Sequence, residues 1–238
     1  NQIINNNIGE LNFYNSLNKN KNIDNLNSIS KFDHNKIIFL NGKIENIDFN
    51  YEDKNQIVIS DDNKAEFTFE KNSLLELNNA FNNNNCQITI KNNYNLKKPL
   101  VIYHLINDEV KSTNINLQLN FLLEKKSSLK LIDIFNNKSQ KNFINIFYNF
   151  DLKRDAILKN YKIDKNNNNN IQYSFNNIEQ DTNSISETFI LSSGSKFFKN
   201  EINCNLKETF SSAFVNGIFS LDDENQHEIR TKINHLNE

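Results

Sequence analysis

The chain has 238 residues, enough for one large domain or two small ones and for a substantial core. Only 37% of it is apolar, yet 11% is aromatic, with 19 Phe, which excludes a simply disordered polymer. A formal net charge of -2 leaves no electrostatic footprint for nucleic acid or an anionic membrane, and no apolar run approaches the length of a membrane span.

Residues 1 to 35 carry spaced Ile and Leu (Ile8, Leu11, Leu17, Ile23, Leu26, Ile29) among Asn and Lys, a spacing that allows short helices or loops. Ile37-Ile38-Phe39-Leu40 then runs into Asn41-Gly42 and Lys43-Ile44, a hairpin with its turn at the pair that tolerates positive φ. Ile57 to Ile59 is a strand. Ser73 to Phe81 is predicted as a short helix, with Leu74, Leu77 and Phe81 on one face and Ser73 as its cap.

From Cys86 the chain becomes a procession of strands. They are predicted at Gln87 to Lys91, Leu100 to Leu105, Ile115 to Leu123, Leu129 to Phe135, Phe143 to Leu152, Ala156 to Ile163, Ile171 to Phe175, Ser186 to Leu191 and Phe197 to Leu206, with a loop at Asn166 to Asn170. Two more follow. Phe214 to Leu221 is mostly apolar, and His227, Ile229, Thr231, Ile233 and His235 share one face of an extended chain, separated from it by the acidic turn Asp222-Asp223-Glu224. Strands this closely spaced, without helical patterns between them, allow an all-β sandwich or a coiled solenoid. No sequence repeat chooses between the two.

The run Phe-Val-Asn-Gly-Ile-Phe-Ser-Leu (Phe214 to Leu221), the acidic turn, Gln226-His227 and then Arg-Thr-Lys-Ile-Asn-His (Arg230 to His235) resembles the SufB/SufD family of iron–sulfur cluster assembly proteins, the SufD branch being the closer match. The Asn41-Gly42 hairpin, Leu77-Asn78-Asn79-Ala80-Phe81 and Lys98-Pro99-Leu100 resemble further segments of that family, so the likeness spans roughly residues 36 to 236. It implies an all-β fold, a right-handed parallel β-helix over 86–238 behind a small mixed α/β region over 1–85. Ile, Leu and Phe are then expected to point into a continuous interior while Asn, Lys and Ser face water, with Asn stacking in ladders at the turns. It also implies a non-catalytic scaffold subunit, not an enzyme, acting in a cytoplasmic SufBCD-type complex with a SufB-like subunit and a SufC-like ATPase. The iron–sulfur cluster would be assembled on the complex, and no cofactor would be held by this chain alone. Because the chain contains no Met and stops just after a strand, a fragment lacking the C-terminal part of such a protein is expected. The family's Cys-Ser-His-Gly-Ala-like motif does not occur in it.

Candidate site residues are few. His227 and His235 are the weak candidates for metal, but eight residues of extended chain put them about 26 Å apart, too far to share an ion. His104, inside an apolar strand, reads as a neutral core histidine, and Cys204 as a core thiol; Cys86, after an Asn loop, is expected to be more exposed. The two cysteines have no metal-site spacing. With only Gly9, Gly42, Gly194 and Gly217, there is no phosphate-cradling loop. Two other classes fit a solenoid: a carbohydrate-active enzyme, which needs carboxylates lining a groove, and a structural or adhesive β-solenoid.

Overall fold

The computed structural model describes residues 12–13, 31–60, 72–82, 85–107, 110, 112–137, 141–164, 168–222 and 224–237. Its first elements are β1 (Asn12–Phe13), the hairpin β2 (Asn35–Leu40) and β3 (Lys43–Asp48), β4 (Ile57–Ser60), α1 (Ser73–Phe81) and β5 (Asn85–Ile90). Five coils follow, each made of two strands: β6 (Leu100–Ile106) and β7 (Thr113–Leu123), β8 (Ser128–Asn137) and β9 (Phe143–Leu152), β10 (Ile157–Asp164) and β11 (Asn168–Gln180), β12 (Ile185–Ser192) and β13 (Ser195–Leu206), β14 (Ser212–Phe219) and β15 (Gln226–His235).

The first strands of the coils pair parallel with one another in the order β6-β8-β10-β12-β14, and the second strands in the order β7-β9-β11-β13-β15. The expected parallel β-solenoid is therefore present, and the sandwich is not. Antiparallel β3 and β4 end the two sheets on the N-terminal side. Of residues 1 to 35, β1 is a strand pairing parallel with Thr113 and Asn114, while 1–11 and 14–30 lie outside the described residues.

The coils turn where a residue accepts a left-handed backbone. Asn93, Lys126, Asp155, Asn183 and Phe210 all have positive φ, one at the same corner of each successive coil. The amides of the first four donate to the next coil's carbonyls, at Lys125, Arg154, Thr182 and Thr209, over 2.8–3.2 Å. Asn and Asp take this conformation readily, which is one use of an Asn-rich composition. At the opposite corner the amide of Thr113 donates to Asn142 Oδ1 and the amide of Asn142 to Asn170 Oδ1, so side chains bridge the coils where the ladder breaks. This is the Asn stacking expected at turns. It also explains why Asn168, Asn169 and Asn170 belong to β11 rather than to the expected loop: Asn170 is anchored as a rung of that corner. A second ladder, not expected from sequence, climbs the outer face of the β7-to-β15 sheet, where Asn177 donates to Asn149, Asn203 to Asn177 and Asn234 to Asn203.

The hairpin turn needs its glycine. Asn41 and Gly42 have φ of 51° and 80°, and a Cβ at Gly42 would lie 2.6 Å from Ile115 Cγ2 in the first coil. Gly42→Ala is expected to cost about 1–3 kcal/mol, read as a lowered denaturation midpoint. An unchanged midpoint would mean that the turn relaxes without resistance.

Two cores result. One fills the solenoid, built from inward residues such as Ile102, Leu117, Leu131, Ile146 and Phe150. The other lies outside the β7-to-β15 sheet, where Leu75 of α1 packs on Phe143, Phe147, Tyr173 and Phe197. Asn78 fastens the helix by donating to the carbonyls of Leu117 and Asn145, and Asn145 returns a bond to the carbonyl of Leu74. The helix forms as expected, but its cap is Asn72, whose side chain accepts from the amides of Leu74 and Leu75; Ser73 is already helical. Its buried face carries Leu75 and Asn78, and Phe81 is exposed. An apolar spacing over nine residues identifies a helix but leaves its rotation open, and the docking bonds of Asn78 decide it.

Candidate functional site

Inside the solenoid, one side-chain position on each of three consecutive strands carries an ionisable group. His104 comes from β6, Asp133 from β8 and Lys162 from β10, with Asp133 and Lys162 directly opposite each other in the parallel register. Lys162 Nζ donates to Asp133 Oδ2 at 3.4 Å, and His104 Nε2 lies 3.3 Å from Asp133 Oδ1. From the facing sheet Tyr148 places its ring under the ammonium, 3.3 Å from Nζ to the ring centroid, and its hydroxyl 3.3 Å from His104 Nε2. None of the four is more than 4% exposed.

The protonation pattern follows from this geometry. Burial lowers the His104 pKa, opposed by Asp133, and His104 Nδ1 is buried without a partner, which a protonated ring could not accept without a lost hydrogen bond. The imidazole is therefore neutral, donates from Nε2 to Asp133, and is held flat between Phe39 and Phe135, stacked at centroid distances of 5.5 and 4.5 Å. Burial alone pushes the Asp133 carboxyl upward, but the Lys162 ammonium and the His104 bond outweigh it and hold the pKa below its ordinary value. Burial brings Lys162 down to about 8 even though Asp133 favours the charged form. Tyr148 is pushed well above its usual range by burial and then by Asp133.

The lowered lysine makes a signed prediction. Below about pH 8 both folded and unfolded chains hold the Lys162 proton; between about 8 and the ordinary lysine value of 10.5 the folded chain releases it first. The unfolded state then binds more protons, so stability rises with pH, by at most about 3 kcal/mol from this residue. Above pH 9 the gain is opposed by Cys204, whose thiol burial pushes up to about 11. Unfolding free energies measured at pH 7.5 and 9 are expected to rise in the native chain and not in Lys162→Met. Equal pH dependence in both would remove Lys162 as the source.

The sequence-derived candidates are placed as follows. His104 is the neutral, bonded core histidine expected. Cys204 is buried among lumen residues; Cys86, expected to be more exposed, is 1% exposed because it points inward from β5, and neither cysteine is in a disulfide. His227 is half-buried, with Nε2 donating to the Ser195 carbonyl and Nδ1 accepting from Ser192 Oγ, both at 2.8 Å, so both ring nitrogens are engaged. His235 is exposed further along the same strand, and the structure does not bring the two together. Asp222 and Glu224 are exposed, and position 223 lies outside the described residues. Among the described residues no group of three His, Cys, Asp or Glu is arranged to hold a metal ion.

Sequence reasoning missed Asp133, Lys162 and Tyr148. A signal existed: Asp133 interrupts the inward series Leu129, Leu131, Phe135, and Lys162 follows Leu158 on the same face of β10. Such an interruption marks a charge that needs a buried partner, but not which strand supplies it.

Sealed from solvent, the triad can hold charge but cannot meet a substrate. Outside, a shallow groove of about 380 Å³ lies over β10, β12 and β14, lined by Tyr161, Glu187, Thr188, Phe189, Phe214 and Asn216. Its carboxylate, Glu187, is paired with Lys159 at 2.9 Å, so these residues do not form the acid/base pair a carbohydrate-active groove requires. On the outer face of the other sheet Tyr173 donates to Glu201, which Lys199 also pairs, and Asn72 reaches both from the helix cap. This network ties α1 to the third and fourth coils. No helix among the described residues is long and apolar enough to cross a membrane.

Against known families, the model described as "SUF system FeS cluster assembly, SufBD core domain" matches residues 104–238, from His104 in β6 through all five coils. A search of curated proteins finds no match.

Proposed function

Because the chain belongs to the SufBD core-domain family of the SUF iron–sulfur cluster assembly system, we propose that it serves as a SufD-like scaffold subunit, non-catalytic in itself, within a cytoplasmic complex containing a SufB-like chain and a SufC-like ATPase. The observation that carries this reading is the coincidence of the family match with the stacked coils. The architecture suits the role. A solenoid closed on one side by antiparallel strands offers long outer faces, and its buried His104–Asp133–Lys162 cluster is turned inward. Chemistry on an assembling cluster is then the work of the complex, and this chain supplies shape and partner surface.

The test is capture of the endogenous protein from its source followed by mass spectrometry of what accompanies it. A SufB-like chain and a SufC-like ATPase are expected in stable ratio. Recovery of the protein with neither, under conditions that preserve other complexes, would overturn the scaffold reading and leave family membership alone standing. Recovery with a SufD-like chain in place of a SufB-like one would reassign it to the SufB branch.

A further inference from the structure

The interior of the solenoid changes character along its axis. In the first two coils the inward positions are largely Ile, Leu and Phe; in the third and fourth they include Asn160 from β10, Gln172, Ser174 and Asn176 from β11, and Asn200 from β13. These share the inward alternation of Leu158, Ile178 and Phe198, and none is more than 1% exposed. Ser174 and Asn200 are opposite each other in register, and Asn176 donates to Asn200 Oδ1 at 2.6 Å. Asn176 also donates to the Glu201 carbonyl at 3.1 Å. Both side-chain polar atoms of Asn160, the oxygens of Gln172 and Asn176, the hydroxyl of Ser174 and the amide nitrogen of Asn200 are buried with no partner among the described residues.

Buried polar groups are almost always satisfied, and several unpaired groups converging from both sheets on one interior call for an occupant. The unmet set decides its chemistry. It mixes amide donors (Asn160, Asn200) with carbonyl acceptors (Asn160, Gln172, Asn176) and a hydroxyl that does both. An anion would satisfy the donors and leave the acceptors unpaired; a cation would do the reverse. The Lys162 ammonium is matched by Asp133, and Asp164, the other buried carboxylate on this face of β10, accepts from Ser195. The ligand must be small, neutral, and able to donate and accept together. We infer that the third and fourth coils enclose a cluster of ordered water molecules bridging Asn160, Gln172, Ser174, Asn176 and Asn200. The inference does not depend on the proposed function.

A crystal structure of the chain at a resolution that shows ordered solvent tests it, together with oxygen-17 magnetic relaxation dispersion of the native protein in solution. The expected result is two or more waters within about 3.2 Å of these side-chain atoms, a long-lived water signal in solution, and loss of at least one such water in the mild variant Ser174→Ala. Side chains repacked so that the amides pair directly with one another and no solvent density lies between them would overturn it. So would an interior empty of density with no long-lived water detected.

Discussion

Replacing Lys162 by Met is expected to destabilise the protein by about 3–5 kcal/mol, while Lys162→Met combined with Asp133→Leu restores most or all of the loss. The reasoning rests on which charge is left behind. In the native chain the ammonium meets Asp133 at 3.4 Å and the Tyr148 ring at 3.3 Å, all with no more than 3% exposure. A methionine of similar length fills the space but leaves the Asp133 carboxylate buried, with the neutral His104 and the Tyr148 hydroxyl as its remaining supports. Ionised, it lacks its countercharge; protonated, it must take up a proton at neutral pH. Removing both charges replaces a desolvated pair with apolar groups, which is often neutral or favourable in a packed core. Denaturant unfolding of the two single variants and the double variant forms a complete cycle. A double variant as unstable as Lys162→Met would show that the loss comes from packing, and that the ion pair is incidental.

Truncating Phe150 to Ala is expected to cost a similar 3–5 kcal/mol, or about 6–20 °C in the melting midpoint. Phe150 is fully buried in the lumen and sits beside its register partner Phe121, the rings stacked at 4.9 Å and 15°. Tyr148 lies on its other side at 6.2 Å, so the ring joins the first coil to the second and the aromatic stack to the ionic triad. Neighbouring strands hold the cavity open, because each is fixed by a full backbone ladder to the next coil. The matching surface control is Phe214→Ala, in the last coil, where the ring is 54% exposed; it is expected to change stability by no more than about 0.5 kcal/mol. Since coils of a solenoid interact chiefly with their neighbours, amide exchange in Phe150→Ala should accelerate most in β7 and β9. Uniform acceleration through β15 would instead mark the five coils as one cooperative unit.

Local chemistry in the chain was enough for much of this architecture. Asn41-Gly42 specifies a hairpin because the turn needs two positive φ angles, and nine residues from Ser73 specify a helix. Alternation and apolar runs located the ten coil strands, to within a few residues at every end but that of β11, which continues five residues past Phe175. The motif in the last two strands pointed to the family that the match over 104–238 then showed.

Which face of each strand is inside could be settled only by the tertiary structure. On β11 the apolar residues Ile171, Tyr173 and Phe175 alternate with Gln172, Ser174 and Asn176, and the simple expectation puts the apolar set in the lumen. The structure does the opposite: α1 docks outside and makes the apolar set a second core, so the polar set turns inward. Period 2 is symmetric between faces, and a helix some ninety residues earlier in the chain breaks the symmetry. The same limit hid the triad. Asp133 and Lys162 stand 29 residues apart and His104 another 29 before them, and only coil stacking brings to 3.4 Å charges that are otherwise unrelated along the chain.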